Sequence, residues 1–361
     1  MSSKLFLTAT IIALTSSLIA IKHEFLHRPP VEEQLSGGHV HRREWEALPL
    51  DGAVGPESFA FDPLARGPYA GISDGRIVKW EQHERRWINF SYASQKRDGC
   101  GGPHDHHQTE HICGRPLGLC FDETHGDLYI ADAYMGLLRV GPQGGLATKI
   151  VTHAQGIPLR FTNSLDIDQS SGAIYFTDSS SQYQRRHYLS VVLSGDRSGR
   201  LMKYDPASKQ VEVLVSNLAF PNGVALSKDG SSILLAETTT GTLEVFAQLR
   251  GFPDNIKRSP RGGYWVGMHS KREKLSELLF SYPWTGNVLL KLPFDITKLQ
   301  STLSRYRGGG FAVRLGENGD VLEVFEDDDG NRLKSVSEIM EKDGELWIGS
   351  VNLPFAGRCE I

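Results

Sequence analysis

Six similar apolar segments, spread along most of the chain, begin with side chains that could hold one ligand between them. Most of these side chains carry oxygen, and the six starts read Glu57, Leu117, Asn163, Asn222, Asp254 with Asn255, and Ser337. Carboxylate and amide oxygens are the ligands that a hard cation such as Ca²⁺ prefers, whereas Zn²⁺ and Cu²⁺ favour His and Cys. If the fold gathers the segments, the sequence predicts a calcium site made by Glu57, Asn163, Asn222, Asp254 and Asn255.

Each segment begins a repeated unit that predicts a β-hairpin. An alternating apolar strand is followed by a turn and by a second strand, and the turns read ETHGD, QSSGA, SKDGS, SPRGG and EKDGE. Alternation of period two interrupted by such a turn is typical of a hairpin. Three acids, Asp132, Asp178 and Glu237, follow the second strands at matching positions. We expect them to accept hydrogen bonds from backbone amides in turns.

The repeat predicts an all-β fold, a six-bladed β-propeller over residues 46–361. A chain of 361 residues would ordinarily suggest two or three domains. Six tandem hairpin units instead indicate blades of four strands around one central channel, and the alternative, a β-sandwich, does not require six copies in one phase. Only 32 residues separate Asn222 from Asp254, fewer than the roughly 40 of a complete blade. We therefore expect a truncated fourth blade.

The N-terminus predicts targeting to the secretory pathway. Lys4 precedes an apolar run at residues 5–21, LFLTATIIALTSSLIAI. Its length lies between the core of a signal peptide and a minimal membrane span. Residues 1–23 are therefore interpreted as a signal peptide or an uncleaved membrane anchor, and residues 24–45 as a polar linker with the first strand. An uncleaved anchor would be the only membrane contact that the sequence predicts.

Two further features fit a lumenal or extracellular chain. Cys100 and Cys113 flank one polar loop and are close enough in sequence to form a disulfide. Asn89 begins the sequon Asn-Phe-Ser, so it is a candidate glycosylation site. The predicted locations are the endoplasmic reticulum lumen or membrane, the vacuole or the extracellular space.

Composition and motifs exclude several functions. Lys and Arg number 39 against 43 Asp and Glu, giving a net charge of −4, so no broad basic surface favours nucleic acid. Neither a nucleophile elbow nor a phosphate loop nor a dinucleotide fingerprint occurs. The loop GGPHDHHQTEHICG holds four histidines that could bind Zn²⁺ or Cu²⁺. We interpret it as a solvated loop at the channel mouth, from which His106 or His107 could act as a base.

Several motifs resemble those of the strictosidine synthase-like proteins. They include GPESFAFDP, CGRPLGLCFD, YIADAYMGL, YFTDSSSQYQRR, FPNGVALS and GFPDNIKRSPRGGYWVGM. The chain is most similar to the branch shared by plant members and the animal adipocyte plasma-membrane-associated protein, and the resemblance runs from about Pro56 to the C-terminus. It implies a six-bladed propeller. It also implies kinship with Ca²⁺-dependent paraoxonases and lactonases, whose metal-binding residue types are retained at the five predicted ligand positions.

Two departures from the family pattern bear on the chemistry. Ser337 stands where true strictosidine synthases carry a catalytic Glu, and a hydroxyl is too weak a base to replace it. Glu338 is adjacent, but strand alternation predicts that it points to the opposite face. Leu117 stands where paraoxonases have a His of a base dyad. Water would then have to be activated by the metal, by a carboxylate such as Asp254, or by a loop His.

The resemblance and the oxygen ligands together predict a Ca²⁺-dependent hydrolase of small esters or lactones. The alternative is a non-catalytic or biosynthetic accessory protein of the endomembrane system that binds a metabolite or a partner. Retained strictosidine synthase activity is a third hypothesis, against which Ser337 argues.

Overall fold

The computed structural model describes residues 39–42, 44–102, 104–238, 244–249, 251–272, 283–291, 310–327, 332–333 and 335–361. The predicted signal or anchor segment, residues 1–23, lies outside the described residues. The compact β unit begins at His39, ahead of the predicted propeller start at residue 46. Among the described residues, no helix is both long and apolar enough to cross a membrane.

Two strands precede the first blade, and the first three blades then follow in chain order from the channel outwards. The leading strands are β1 (His39–Arg42) and β2 (Glu46–Pro49). Blade one contains β3 (Phe59–Ala60), β4 (Tyr69–Gly71), β5 (Arg76–Glu81) and β6 (Arg86–Tyr92). Blade two contains β7 (Pro116–Phe121), β8 (Leu128–Asp132), β9 (Gly136–Val140) and β11 (Thr148–Val151). The short β10 (Gly145–Leu146), which lies between β9 and β11 in the chain, pairs parallel with β6 of blade one. A small hairpin, β12 (His153–Ala154) with β13 (Ile157–Pro158), leads to blade three, with β14 (Thr162–Ile167), β15 (Ile174–Asp178), β16 (Gly199–Asp205) and β17 (Gln210–Leu218).

The remaining blades differ in size. In the described residues blade four has two strands, β18 (Pro221–Leu226) and β19 (Ile233–Glu237), as its short unit predicted. Blade five contains β20 (Gly251–Arg258), β21 (Tyr264–Lys271), β22 (Phe311–Leu315) and β23 (Val321–Glu326). Blade six contains β24 (Val336–Lys342), β25 (Glu345–Ser350) and β26 (Phe355–Glu360).

The two leading strands complete the last two blades. β2 pairs antiparallel with β26 and becomes the outer strand of blade six, while β1 pairs parallel with β23 of blade five. The innermost strands β3, β7, β14, β18, β20 and β24 contact one another in this order, and β24 also contacts β3. The six blades therefore form a closed ring, which confirms the six-bladed propeller.

Apolar side chains pack between neighbouring blades. Leu119 and Ile130 of blade two pack with Ile77 of blade one, and Trp265 of blade five packs with Ile339 of blade six. Because alternate residues of a strand point to opposite faces of its sheet, each blade contributes to two such layers. The core is thus distributed around the ring, which leaves the strand starts near the axis free to carry polar side chains.

Short helices are inserted between the strands. They are α1 (Glu110–Cys113), α2 (Tyr188–Ser194) and α3 (Pro283–Leu290), with 3₁₀ turns at His106–Gln108 and Arg185–His187. The backbone of α3 approaches α2 closely, since a side chain at Gly286 would collide with the carbonyl of Leu193.

Candidate functional site

The inner strands share an irregularity that positions the candidate ligands. In β7, β14, β18, β20 and β24 the pairing register shifts within the first few residues of the strand. Such bulges re-aim side chains locally and are common beside functional sites. In β20 one of two shifts lies between Pro253 and Ile256, and the two intervening residues, Asp254 and Asn255, are both buried. In a regular strand, where successive side chains point to opposite faces of the sheet, Asp254 and Asn255 would point in opposite directions.

The five predicted calcium ligands are buried, and most of their oxygens lack a hydrogen-bond partner among the described residues. These orphaned atoms are Glu57 Oε2, Asn163 Oδ1, Asn222 Oδ1 and Asn255 Oδ1. The amide nitrogens of two of the residues are engaged: Asn163 Nδ2 donates to Ser179 Oγ at 2.9 Å, and Asn222 Nδ2 donates to Asp254 Oδ1 at 2.5 Å. A buried polar atom without a hydrogen-bond partner destabilises the folded state by about 1–3 kcal/mol. Several such oxygens therefore indicate that a ligand, such as a bound ion, satisfies them.

The charges of the two axial carboxylates, Glu57 and Asp254, are under-compensated. Burial raises the pKa of Asp254 well above its usual range, and the negative charge of Glu57 raises it further, against the opposing effects of Asn222 and Arg185. Burial also raises the pKa of Glu57, while Arg115 and Arg185 lower it. A divalent cation held by Glu57 and Asp254 would offset this electrostatic cost. Two carboxylates and three amides therefore fit Ca²⁺.

A second layer of charge lies beside the axial carboxylates. Arg115 is fully buried, with Nη2 3.6 Å from Glu57 Oε2 and Nη1 donating to the carbonyl of Gly55 at 2.9 Å. Glu110 of α1 lies between two cations, because its Oε1 is 3.5 Å from Arg115 Nε and 2.9 Å from Arg185 Nη1. The pair of guanidinium groups thus shares one carboxylate at the edge of the site.

The polar loop that supplies Glu110 is fixed at both ends. Cys100 and Cys113 form the expected disulfide, and Cys113 is the last residue of α1. His106, in the same loop, is buried and bonded on both sides of its ring, through Nδ1 to Ser73 Oγ and through Nε2 to the carbonyl of Gly102. Both ring nitrogens of His106 are therefore engaged in contacts that hold the loop in place.

His107 lies closer to the charged layer. Its Nδ1 is 3.4 Å from Arg185 Nη1 and 3.9 Å from Glu110 Oε2, and burial together with Arg185 lowers its pKa. In the described part of the chain, no group of three or more His, Cys, Asp or Glu side chains is placed to hold a metal. This finding includes the histidines of the loop.

Sequence reasoning missed His269 of β21. Its Nδ1 lies 4.0 Å from Asp254 Oδ2, and burial lowers its pKa to about 4, with Arg185 contributing, so the imidazole is neutral near pH 7. The residue belongs to a second strand, outside the repeated strand-start positions that identified the other candidates. His269 comes close to Asp254 because β21 pairs with β20 in blade five.

A partly buried cation on β20 connects two blades. Lys257 of β20 donates from Nζ to the carbonyl of Leu119 at 3.2 Å, so its side chain reaches from blade five to blade two, on the opposite side of the ring. Glu338 Oε2 is 3.8 Å from the same ammonium, and Glu338 Oε1 accepts a hydrogen bond from the amide of Phe59 at 2.7 Å. The prediction that Glu338 points away from the site is wrong, because the bulge in β24 between Val336 and Ile339 breaks the alternation.

The two positions that depart from the family pattern have structural roles. Ser337 is buried, and its Oγ donates to the carbonyl of Glu57 at 2.7 Å, linking blade six to blade one. Leu117 is buried in an apolar cluster with Phe161 and Val191 beneath α2. Neither position supplies a proton acceptor with the basicity of a carboxylate or an imidazole.

The repeated acids have the predicted turn role. Asp132 accepts hydrogen bonds from the amides of Arg115, Tyr134 and Met135, Asp178 from those of Arg160 and Phe161, and Glu237 from that of Ala219. At the candidate glycosylation site, Asn89 is exposed on β6, and its Oδ1 accepts a hydrogen bond from Arg76.

Known proteins resemble this chain in sequence and in fold. A family described as Strictosidine synthase matches residues 163–246, and one described as Strictosidine synthase-like, N-terminal, matches residues 43–80. Protein strictosidine synthase-like 2 of Arabidopsis thaliana is 54% identical over 338 residues, covering 88% of this chain and 90% of the relative. Adipocyte plasma membrane-associated protein of Salmo salar is 37% identical, covering 93% and 82%.

Solved structures show the same fold at low sequence identity. A gluconolactonase from Xanthomonas campestris superposes with a TM-score of 0.56 at 15% identity, covering 88% of this chain and 90% of that one. A calcium-binding regucalcin from Agrobacterium tumefaciens superposes with a TM-score of 0.57 at 14% identity, covering 90% and 96%. The chain belongs to the strictosidine synthase-like family of β-propeller proteins.

Proposed function

We propose that this protein is a calcium-dependent hydrolase of small esters or lactones that works in the secretory pathway. The observation that carries the proposal is the set of orphaned oxygens at the strand starts, on Glu57, Asn163, Asn222 and Asn255, beside the carboxylate of Asp254. Hydrolysis is supported by the fold, which is shared with a gluconolactonase, and calcium by the chemistry of the donors.

Bound calcium would polarise the ester or lactone carbonyl and stabilise the negative charge that develops on its oxygen. The chain's own residues hold and orient the reacting groups. Glu57 and Asp254 provide the charged ligands, and Asn222 fixes the orientation of Asp254 through its 2.5 Å hydrogen bond. Asp254 Oδ2 and, 4.0 Å from it, His269 Nδ1 are groups of the site that could accept a proton from an attacking water.

The disulfide between Cys100 and Cys113 suits an oxidising compartment, in agreement with the predicted lumenal or extracellular location. Whether residues 1–23 are cleaved or remain as an anchor decides whether the protein is soluble or membrane-bound. Cell fractionation with an alkaline-carbonate wash separates these cases, because a cleaved protein is released by the wash and an anchored one stays with the membranes.

The experiment that tests the proposal combines metal analysis with an ester panel. Protein purified without chelator should contain about one calcium per chain and should hydrolyse phenyl acetate or a small lactone, and the activity should fall on treatment with EGTA and return with CaCl₂. The Asp166→Asn variant is a matched control, since Asp166 is a half-buried carboxylate of β14 outside the ligand set. Absence of both calcium and chelator-sensitive hydrolysis would refute the proposal.

A non-catalytic role is the second candidate, and one observation favours it. Leu117 is packed in an apolar cluster and Ser337 is bonded to the backbone, so both family base positions are occupied by groups that accept protons poorly. The variant Asp254→Ala with Asn255→Ala discriminates the two candidates. If biological function survives while calcium binding is lost, the propeller acts by binding a metabolite or a partner.

A further inference from the structure

Arg185 is a nearly buried cation that the proposed reaction leaves unused. It lies in the 3₁₀ turn before α2, and its side chain is 9% exposed. Nη1 donates to both oxygens of Glu110, at 2.9 and 3.0 Å, and lies 3.4 Å from His107 Nδ1. Among the described residues, Nε and Nη2 of this guanidinium group have no hydrogen-bond acceptor.

The charge of Arg185 acts on the centre of the candidate site. Its positive charge lowers the pKa of both axial carboxylates, Glu57 and Asp254, and that of His269. These residues come from blades one and five, whereas Arg185 follows β15 of blade three. The guanidinium group therefore lies within electrostatic reach of groups on several sides of the channel.

Calcium binding would leave this region with excess positive charge. Once the axial carboxylates hold the cation, Glu110 is the remaining carboxylate in contact with both Arg115 and Arg185. The negative charge of Asp132 also stabilises the Arg115 cation, but the oxygens of Asp132 are already engaged by three backbone hydrogen bonds. The two guanidinium groups of Arg115 and Arg185 then share the single negative charge of Glu110. An anionic group on the substrate would balance the second positive charge.

We propose that Arg185 binds a carboxylate of the substrate, so that the site prefers small esters or lactones carrying a negative charge. The proposal rests on the proposed hydrolase function and names its substrate class. A planar guanidinium group with one nitrogen anchored and two free can pair with a carboxylate through its free edge. The Glu110 ion pair holds that edge in place and so reduces the entropy lost on binding.

The test compares Arg185→Gln with Arg186→Gln, which removes the same charge from the adjacent, exposed position. Two esters serve as probes, the anionic 4-acetoxybenzoate and the neutral phenyl acetate, each assayed for kcat/KM with excess CaCl₂. The wild type and Arg186→Gln should prefer the anionic ester. Arg185→Gln should reduce that preference about 10- to 100-fold, the amount expected for one charge-assisted hydrogen-bonded pair.

Equilibrium binding gives a readout that does not require turnover. Calorimetric titration with 4-hydroxybenzoate should show binding to the wild type and to Arg186→Gln, with about 10-fold or greater weakening in Arg185→Gln, while phenol should not distinguish the three proteins. If Arg185→Gln proves unstable because Glu110 is left unpaired, the double variant Arg185→Gln with Glu110→Gln removes both charges and should show the same loss.

The outcomes separate this proposal from the proposed function. If calcium binds and phenyl acetate is hydrolysed, but Arg185→Gln keeps the preference and the anion affinity of Arg186→Gln, the assignment of Arg185 is wrong and the hydrolase stands. If 4-hydroxybenzoate binds in an Arg185-dependent manner while neither ester is cleaved, the anion site stands and the hydrolase is wrong.

Discussion

Replacing Glu110 by Gln should destabilise the protein strongly, because its carboxylate is shared by two buried cations. Glu110 is 2% exposed, and it accepts hydrogen bonds from Arg185 Nη1 at 2.9 and 3.0 Å and from Tyr134 Oη at 3.1 Å, with Arg115 Nε 3.5 Å away. Removing one partner of a buried ion pair typically costs about 3–5 kcal/mol. We expect a loss of that size in the free energy of unfolding, measured by urea denaturation.

A double-mutant cycle tests whether the cost comes from this pair. Glu110→Gln combined with Arg185→Gln should be less destabilising than the sum of the two single changes, with a coupling of about 2–3 kcal/mol. The exposed pair Glu84–Arg86, with 56% and 63% of the side chains accessible, is the matched control, and Glu84→Gln should cost under about 1 kcal/mol. A cost for Glu110→Gln as small as that of the control, or no coupling, would refute this account of the charged layer.

Three further predictions concern stability. The double variant Cys100→Ser with Cys113→Ser should unfold with a free energy about 3 kcal/mol lower, since the bridge closes a loop spanning 13 positions, and dithiothreitol should give the wild type the same urea midpoint. Lys257→Met should lower the free energy of unfolding by about 3–5 kcal/mol, because it leaves the Glu338 carboxylate buried without its cation. The double variant Lys257→Met with Glu338→Gln should recover at least half of this loss, as measured by urea denaturation. Equal stabilities of the single and double variants would contradict the pairing. Burial raises the pKa of Asp132 from 3.8 to about 6, so the folded protein binds the proton of this carboxyl more tightly than the unfolded chain does. The stability that this proton contributes is fully present below pH 3.8 and is lost as the pH rises through 6. Relative to Asp132→Asn, the wild type should therefore lose up to about 3 kcal/mol between about pH 4 and pH 7, and a flat difference in urea-derived stability would contradict this.

The ring itself could be predicted from sequence because its information is local. A hairpin is encoded by alternation and a turn within about 20 residues, so six copies in one phase are visible without any knowledge of the fold. The same reasoning located the turn acids Asp132 and Asp178, whose partners lie in adjacent turns. The short fourth unit was visible from length alone, and in the described residues blade four has two strands.

The finer arrangement of the site depends on contacts that alternation does not encode. The bulges at the strand starts bury both Asp254 and Asn255 and turn Glu338 towards Lys257, whereas a regular strand would have separated neighbouring side chains onto opposite faces. Register shifts of this kind depend on the neighbouring strand, so a single strand's sequence does not reveal them.

Arg185 and His269 were missed for a different reason. They lie outside the repeated positions, in an inserted 3₁₀ turn and in a second strand, and approach the site only because the ring closes. His106 illustrates the converse: its loop position suggested a free base, but its ring bonds to Ser73 of blade one. Insertions between strands are positioned by tertiary packing, for which the repeat pattern carries no information.

Calcium binding tests the central claim most directly. Protein treated with EGTA and dialysed should be titrated with CaCl₂ in a calorimeter, alongside Glu57→Gln with Asp254→Asn and the control Asp166→Asn. We predict one ion per chain for the wild type and the control, and no binding for the double variant. Absence of binding to the wild type at millimolar calcium, or unchanged binding to the double variant, would contradict a calcium site at Glu57, Asn163, Asn222, Asp254 and Asn255.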